Sequence, residues 1–286
     1  MENRDYQKRV AAIHDLSGFG KCSLTVALPI LSAAGIEACA MPTAILSTHT
    51  GGISGYTYRD LTSDMRAFMQ HWKSLDIQFD ATYSGFLGSF EQLDLVKEFF
   101  ELFRSKNNLI LVDPVMADNG ELYRIFQPEF AVGMRSLCKK ADIIVPNLTE
   151  AALLLEESYH PGPYTQAYIE KILKKLSKLG PEKVVLTGVY FEEKKLGAAT
   201  YDKGSDSTDY LFTERIPGCY HGTGDVFASA LLSGLLNNFS LKDSTQIAVN
   251  FTADSIRRTY NAKTDYRFGV NFEQCIPDFL KELKLI

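Results

Sequence analysis

The sequence lacks the features of membrane-spanning and disulfide-stabilised proteins. No run approaches the roughly 18 consecutive apolar residues that a helix needs to cross a bilayer. The first residues lead into no apolar signal core, so we expect no secretory signal. No CxxC pair occurs, and the cysteines are odd in number and far apart: Cys22, Cys39, Cys138, Cys219 and Cys275. This pattern predicts neither a disulfide framework nor a zinc site, and it favours a reducing, cytoplasmic location.

The sequence also lacks an excess of basic residues. Its formal net charge is −5, which argues against a general nucleic-acid or membrane-surface role, because both usually need a basic face. Hydrophobic residues make up 45% and charged residues 23% of the chain, within the usage of globular proteins. The 286 residues contain no linker, internal repeat or low-complexity tract, so we predict a single domain over residues 1–286.

Short apolar runs alternate with longer helical patterns along the chain. The predicted strands are Arg9–His14, Glu37–Met41, Ala81–Ser84, Leu109–Val112, Ile143–Val145 and Lys183–Leu186, followed by a hairpin of Leu196–Tyr201 and Tyr210–Arg215. The predicted helices are Ser23–Ala34, Tyr58–Lys73, Glu91–Ser105, Ala167–Leu179, Asp225–Leu236, Leu241–Tyr260 and Phe272–Leu285. This alternation predicts an α/β sandwich of three layers, with a mostly parallel central sheet and helices on both faces. Polar clusters follow several strands, where such sheets bind ligands.

The strongest local motif is the glycine turn Gly222-Thr223-Gly224-Asp225, which precedes an apolar helix. Two glycines let the backbone approach a ligand closely, and the helix N-terminus adds partial positive charge. Such a turn suits a transferring phosphoryl group, with Asp225 placed to accept a proton from an attacking hydroxyl. The alternative is that Thr223 or Asp225 only caps the helix.

A second segment with glycines, Gly18-Phe19-Gly20, matches neither of two nucleotide-binding motifs. A dinucleotide fingerprint would need a third glycine near Ser23, and a Walker A loop would need serine or threonine at Cys22. We therefore predict a flexible turn after the first strand, which would let a substrate lie against the backbone.

Two carboxylates, Asp113 and Asp118, follow a buried strand. Carboxylate oxygens are hard ligands that could orient Mg²⁺ through water. The alternative is that one or both only cap a turn.

Asn147 and Glu150 follow the next predicted strand and occupy the same edge of the sheet. The alternative for this pair is structural, since Asn147 could cap the next helix while Glu150 completes a capping box. Thr187-Gly188 follows the predicted strand Lys183–Leu186 in the same way and is a weaker indication of a site at this edge of the sheet.

Two further segments contain aromatic candidates. His49, in the polar segment Ser47–Gly52, could stack on or hydrogen-bond an aromatic ligand, or could simply be solvated. Phe86 lies between two glycines and could be a platform for a ring or part of the core.

Several of these motifs occur together in the order seen in pyridoxal kinases. They are STHTG at Ser47–Gly51, SGFLGS at Ser84–Ser89, DPVM at Asp113–Met116, PNxxEA at Pro146–Ala151 and GTGD at Gly222–Asp225. Each is weak alone, but together they extend nearly end to end along the chain. The sequence therefore resembles the ribokinase superfamily and, within it, the vitamin B6 kinases.

The resemblance implies a ribokinase-like fold in a homodimer that uses ATP and Mg²⁺, with a monovalent cation such as K⁺ as a further candidate. It implies that the catalytic base is Asp225 and that the anion hole is formed by Gly222, Thr223 and Gly224. The residues expected along the nucleotide are Asn147, Glu150, Thr187, Gly188 and His221, the last at the end of a flap formed by residues 216–221. The expected magnesium ligands are Asp113, Asp118 and Glu150. The residues expected to contact the substrate are Asp15, Cys22, His49, Thr50, Phe86 and Asp225.

Three positions depart from the usual B6 kinase pattern. Where those kinases commonly carry Ser-His after the first strand, with the serine on the substrate ring, this chain has Asp15-Leu16. Thr48 replaces an asparagine, and Phe86 replaces a tyrosine. An acidic residue at position 15 is also similar to the hydroxymethylpyrimidine kinases of the same superfamily.

These observations predict transfer of the γ-phosphoryl group of ATP to the 5′-hydroxymethyl group of pyridoxal, pyridoxamine or pyridoxine. The nearest alternative is the same reaction on hydroxymethylpyrimidine. A non-catalytic vitamer-binding protein would need neither a carboxylate at Asp225 nor an anion hole. A nicotinamide-dependent oxidoreductase is disfavoured by the incomplete fingerprint.

Overall fold

The computed structural model describes residues 6–286. Residues 1–5 lie outside the described part, and the expectation that the chain has no secretory signal rests partly on them. The strands are β1 (Arg9–Phe19), β2 (Glu37–Thr48), β3 (Tyr58–Asp60), β4 (Ala81–Ser84), β5 (Leu109–Val112), β6 (Ala117–Asp118), β7 (Glu121–Leu122), β8 (Ile143–Ile144), β9 (Lys183–Val189), β10 (Lys195–Asp202) and β11 (Ser207–Glu214). The α-helices are α1 (Leu24–Ala33), α2 (Thr62–Ser74), α3 (Phe90–Phe103), α4 (Phe130–Cys138), α5 (Leu148–Leu155), α6 (Gln166–Ser177), α7 (Thr223–Leu236), α8 (Leu241–Ala262) and α9 (Ile276–Glu282). Two short 3₁₀ helices cover Tyr266–Phe268 and Glu273–Cys275.

Within residues 6–286, one sheet of nine strands has the order β11-β10-β9-β8-β5-β4-β1-β2-β3. The inner strands β9-β8-β5-β4-β1-β2 are parallel to one another. The edge strands β3 and β11 and the second strand β10 pair antiparallel with their neighbours, and β10 and β11 form the predicted hairpin. The predicted mostly parallel sheet is confirmed.

Both faces of this sheet are buried under helices. Along β5, Ile110 and Val112 belong to the hydrophobic core on one face and Leu111 to the core on the other, because successive strand residues point to opposite faces. Helices α2 to α6 contribute to the first core, while α1, α7, α8 and α9 contribute to the second. The two cores explain why β5 is apolar throughout and confirm the three-layer prediction. Across the described chain, no helix is both long and apolar enough to cross a membrane.

Strands β1 and β2 are longer than predicted, and this changes the setting of several candidate residues. Beyond His14 the pairing shifts register once and then continues through Leu16 with Ile45 and Phe19 with Thr48. The predicted turn at Gly18-Phe19-Gly20 is therefore wrong for its first two residues, which lie in β1. Asp15 likewise lies inside β1 rather than after it. The sequence pattern did not predict this extension, because its polar side chains interrupt the apolar run that is expected of a buried strand.

Two predicted helix boundaries are wrong. Tyr58–Asp60 is the edge strand β3, and α2 begins at Thr62, whose N–H donates a hydrogen bond to the Asp60 carboxylate at 2.7 Å. The C-terminal helix begins at Ile276 instead of Phe272, after a 3₁₀ turn. An exposed strand of three residues has no buried face, so its pattern merges with that of the following helix.

Helix α4 was not predicted at all. It contains Gly133, which is unfavourable inside a helix. A Cβ at Gly133 would lie 2.8 Å from Leu93 and 3.0 Å from Phe90, so the glycine permits close packing against α3. Tertiary packing here outweighs the local propensity.

Candidate active site

The carboxyl ends of the parallel strands bring the candidate residues to one edge of the sheet. Asp15 is near the end of β1, Asp113 follows β5, and Asn147 follows β8. Asn147 forms a parallel bridge with Thr187, which extends the pairing of β8 with β9. Asp225 lies in the first turn of α7, close enough to Asp15 and Asp113 for their charges to affect one another. The juxtaposition predicted from the strand ends is present.

The glycine turn begins α7 without a side-chain cap. Gly222 is the N-cap residue and has the left-handed φ of 73°, and no side-chain hydrogen bond caps the helix. The alternative in which Thr223 or Asp225 only caps the helix is therefore wrong. The hydroxyl of Thr223 instead donates to the carbonyl of Tyr220 at 3.3 Å. The first backbone N–H groups of a helix have no acceptor within it, so this turn is suited to binding an anion.

The carboxylate of Asp225 is held next to this turn. Its Oδ2 accepts a hydrogen bond from the backbone N–H of Ser23 at 2.8 Å. Burial, assisted by the nearby charge of Asp15, raises the pKa of Asp225 to about 7, although the Ser23 N–H acts in the opposite direction. A carboxylate that titrates near neutral pH is suited to serve as a general base.

Asp113 and Glu150 form a second pair of buried acids beside Asp225. Burial and the charges of Glu150 and Asp225 raise the pKa of Asp113 well above its ordinary value. Burial raises the pKa of Glu150 to about 8. A Cβ on Gly224 would lie 3.8 Å from Oδ2 of Asp113, so this carboxylate approaches the glycine turn. The site brings together acidic groups whose charged forms are poorly solvated by their surroundings.

Glu150 also completes a capping box, which confirms the structural alternative for this pair. The side chain of Asn147 accepts from the N–H of Glu150 at 2.9 Å, and Oε2 of Glu150 accepts from the N–H of Asn147 at 2.9 Å. The other carboxylate oxygen, Oε1, accepts from the N–H of Met116 at 3.1 Å. Glu150 therefore ties the start of α5 to the segment after β5.

The predicted magnesium ligands do not form a site from protein atoms alone. In the range from Tyr6 to Ile286, no group of three or more His, Cys, Asp or Glu side chains is arranged to hold a metal ion. Asp118 is exposed in β6, and its carboxylate accepts from the N–H and side-chain amide of Asn119, as the turn-capping alternative predicts. The buried acids Asp113 and Glu150 still fit Mg²⁺, which usually takes one or two carboxylates and completes its shell with water and phosphate oxygens.

Thr187 and Gly188 lie within β9, so their predicted position after the strand is wrong. The hydroxyl of Thr187 donates to the carbonyl of Pro146 at 3.4 Å. Gly188 is exposed and has a φ of 74°. The end of β9 thus lies directly beside Asn147, as a shared nucleotide site would require.

His49 is neither solvated nor free to hydrogen-bond a ligand. Its Nδ1 accepts from the N–H of Gly51 at 3.1 Å, and its Nε2 contacts the carbonyl oxygen of Arg267. A Cβ on Gly20 would lie 2.3 Å from its ring, so the histidine also packs on the end of β1. Both ring nitrogens thus serve backbone groups, and the expected hydrogen bond from His49 to the substrate is not supported. Burial lowers the pKa of His49, which favours the neutral ring these contacts need.

His221 lies against the same loop. Its ring centroid is 5.3 Å from that of His49, and a Cβ on Gly51 would lie 2.6 Å from Nδ1 of His221. The end of the predicted flap therefore meets the loop that carries the exposed Thr50. The resemblance placed His221 with the nucleotide, whereas the structure places it beside residues expected on the substrate side.

Asp15, Cys22 and Phe86, the remaining residues expected on the substrate, lie in different surroundings. Asp15 is 4% exposed, and its two oxygens accept from the hydroxyls of Ser23 at 2.5 Å and Ser17 at 3.1 Å. The Sγ of Cys22 would lie 3.4 Å from a Cβ on Gly222. Phe86 is half-buried and tilted against Phe126, with ring centroids 5.8 Å apart, so it combines a core contact with partial exposure.

Comparison with known proteins agrees with this geometry. Residues 28–269 match the sequence model of the phosphomethylpyrimidine kinase family. The chain belongs to that family. The ribokinase-like fold and the resemblance to pyridoxal kinases are both confirmed.

Individual members of the family differ in substrate. The chain is 32% identical to a pyridoxal kinase of Arabidopsis thaliana over 64% of its own length and 59% of that enzyme. It thus spans about three fifths of this relative. It is 23% identical to the hydroxymethylpyrimidine/phosphomethylpyrimidine kinase of Escherichia coli K12 over 87% and 91% of the two chains.

Two solved structures are similar to this chain over nearly its whole length. A Bacteroides thetaiotaomicron protein provisionally named a phosphomethylpyrimidine kinase, crystallised with pyridoxal, is 39% identical with a TM-score of 0.92 over 96% of both chains. The pyridoxal kinase of Lactobacillus plantarum is 31% identical, with a TM-score of 0.88 over 96% of this chain and 98% of that one.

The sequence did not indicate the contact between Ser23 and Asp225. Ser23 has a φ of 55°, in the region that favours glycine, and its N–H reaches Asp225. One signal was available: Ser23 occupies the position where the dinucleotide fingerprint has its third glycine. The sequence also did not indicate Ser17, which lies in the unpredicted extension of β1.

Proposed function

We propose that this protein transfers the γ-phosphoryl group of ATP to the primary 5′-hydroxymethyl group of a B6 vitamer. The strongest support is the position of Asp225 in the first turn of α7, directly after the glycine turn. Its carboxyl group has a pKa raised to about 7. The pyridoxal kinases among its relatives support the choice of substrate.

In the proposed reaction, Asp225 accepts the proton of the attacking hydroxyl. The backbone N–H groups of Thr223 and Gly224 face the developing charge on the transferred phosphoryl group. Phosphoryl transfer depends mainly on positioning and charge stabilisation, which these groups can supply. The opening of α7 by an uncapped glycine, Gly222, supports this assignment.

The nucleotide is proposed to lie along the ends of β8 and β9, against Asn147, Thr187 and Gly188. Asp113 and Glu150 would hold Mg²⁺, with phosphate oxygens completing the ligand shell. When bound, Mg²⁺ neutralises charge on the phosphates. The raised pKa values of both acids support a site for a cation, because bringing positive charge there would offset their mutual repulsion.

The second candidate is phosphorylation of a hydroxymethylpyrimidine. The E. coli relative supports it, since that relative matches across most of both chains. Asp15 also supports it, because an acidic residue at this position is similar to the hydroxymethylpyrimidine kinases.

We further propose that residues 1–286 form one domain and that the protein is a homodimer in the cytoplasm. The continuous sheet from β3 to β11 supports the single domain.

The test is phosphorylation of a substrate panel by the purified protein with ATP and Mg²⁺. ADP and phosphorylated product are measured by chromatography and mass for pyridoxal, pyridoxamine, pyridoxine and hydroxymethylpyrimidine, with Asp225→Asn as the negative control. Product from the vitamers supports the proposal, and product from the pyrimidine alone supports the second candidate. Binding of a vitamer without ADP release would indicate a binding protein, and a change in NAD(P)H absorbance without ATP would indicate an oxidoreductase.

A further inference from the structure

Ser23 connects two acidic side chains of the candidate site. Its hydroxyl donates to Oδ1 of Asp15 at 2.5 Å, and its backbone N–H donates to Oδ2 of Asp225 at 2.8 Å. We propose that Asp15 acts through Ser23 as a positioning residue for the carboxylate of Asp225. This inference rests on the proposed function, in which Asp225 is the base.

The backbone of Ser23 needs an external restraint to direct its N–H at Asp225. Its φ of 55° and ψ of −128° are unfavourable for a residue with a side chain. Its carbonyl oxygen accepts from the N–H groups of Val26 and Ala27, near the start of α1. The hydrogen bond to Asp15 is the side-chain contact that opposes relaxation of this conformation.

Asp15 is itself fixed in the sheet. It lies in β1 between His14 and Leu16, which pair with Pro42 and Ile45 of β2 on either side of the register shift. Its second oxygen accepts from the hydroxyl of Ser17 at 3.1 Å. The side chain is 4% exposed, so it has little surface left for a substrate. The paired residues on either side of Asp15 and the hydrogen bond from Ser17 therefore restrain the start of the chain of contacts from Asp15 through Ser23 to Asp225.

Positioning matters here because a general base must lie within about 2.6–3.2 Å of the atom whose proton it accepts. A donor on Oδ2 orients the carboxylate and leaves Oδ1 available to the hydroxyl. A displacement of about 1 Å at a reacting group can reduce the rate by about a hundredfold.

The matched variants are Ser23→Ala and Ser23→Gly. Alanine removes the hydroxyl, but its Cβ still makes a positive φ unfavourable. Without the contact to Asp15 the backbone should therefore relax and turn the N–H away from Asp225. Glycine also removes the hydroxyl but adopts positive φ without strain, so the N–H can stay. A third variant, Ser17→Ala, removes the other serine on Asp15 without changing residue 23.

We expect kcat to fall about ten- to a hundredfold in Ser23→Ala and to recover substantially in Ser23→Gly, with little change in KM for the vitamer. Ser17→Ala should lower kcat less than Ser23→Ala. Equal losses in the alanine and glycine variants would overturn the proposal. So would a higher KM with unchanged kcat, which would instead place Ser23 and Asp15 against the substrate.

A second measurement does not depend on turnover. The pKa of Asp225 is followed by carbon NMR of ¹³C-carboxyl-labelled aspartate, with its signal identified from Asp225→Asn. Loss of the N–H donor should raise this pKa by about one unit in Ser23→Ala and leave it near the wild-type value in Ser23→Gly. The other titratable groups that face Asp225 are the same in all these proteins: Asp15, Cys22, Tyr83, Asp113 and Tyr123.

The two readouts separate failure of the inference from failure of the proposed function. If no substrate is phosphorylated by the wild type while the pKa shifts as expected, the proposed function is wrong and the positioning contact is real. If the wild type is an active kinase and Ser23→Ala leaves both kcat and the Asp225 pKa unchanged, the positioning role is wrong. Melting temperatures of all variants verify that each is folded.

Discussion

Gly222 packs directly on the backbone of Lys21, so that a Cβ on Gly222 would lie 1.9 Å from the Lys21 carbonyl oxygen. This contact joins the start of α7 to the segment that follows β1. Lys21 is in turn held by its N–H, which donates to the carbonyl of Phe268 at 3.1 Å. The glycine turn is thus placed by close backbone packing, which a larger residue would disturb.

We therefore expect Gly222→Ala to destabilise the protein and abolish turnover. Gly35→Ala is the matched control, since Gly35 also has a positive φ, of 79°, but a Cβ there would meet nothing within 4 Å. The control isolates the cost of the left-handed backbone, about 1 kcal/mol. Urea unfolding should show a larger loss of unfolding free energy for Gly222→Ala than for Gly35→Ala. Equal losses would mean that the contact with Lys21 relaxes freely.

Asp225→Asn should abolish most turnover while leaving substrate and ATP binding nearly intact. The amide oxygen can still accept from the Ser23 N–H but cannot serve as a base, and loss of a general base typically costs ~10²–10⁴-fold in rate. Steady-state kinetics and binding calorimetry measure the two effects. Asp64→Asn, an exposed aspartate in α2, is the control. A kcat within a few-fold of wild type in the folded variant would rule out Asp225 as the base.

The same substitution should stabilise the protein in a manner that depends on pH. The pKa of Asp225 is raised from 3.8 to about 7 in the folded protein, so the folded state binds this proton more tightly than the unfolded state. Ionisation of Asp225 therefore costs stability as pH rises between these two values. The unfolding free energy of Asp225→Asn relative to wild type should increase across that window and level off above it. Denaturant titrations at several pH values measure this, and a constant difference would contradict it.

Glu150→Ala separates the two roles of the glutamate. Its removal leaves the backbone N–H groups of Met116 and Asn147 without their carboxylate acceptor, which should cost about 1–3 kcal/mol of stability. If Glu150 also holds Mg²⁺, the variant should need a higher Mg²⁺ concentration for half-maximal rate. Thr165→Ala is the control, because Thr165 caps α6 through the N–H of Tyr168 and should cost stability alone. An unchanged Mg²⁺ requirement in Glu150→Ala would leave Glu150 a purely structural residue.

Sequence patterns predicted those elements whose burial is uniform. The bounds of β4 and β5 were predicted correctly: β5 is a short apolar run, and β4 is a short, fully buried segment between Asp80 and Gly85. The extension of β1 through Asp15 and Ser17 was missed, since its polar side chains satisfy one another inside the fold. A pattern of apolar residues cannot reveal a buried segment whose polar groups are paired by tertiary contacts.

The sequence by itself determined the layered α/β fold, the glycine turn and the acidic residues at the strand ends, because these depend on local periodicity and on short motifs. Only the tertiary structure decided which groups those acids contact and how deeply they are buried. Ser23 and Asp225 are 202 positions apart in the chain, and their contact exists only when β1 and α7 pack together. The raised pKa of Asp225 likewise requires burial beside Asp15. Desolvation and the distances between charges from different elements set such values, and neither is encoded in a local stretch of residues.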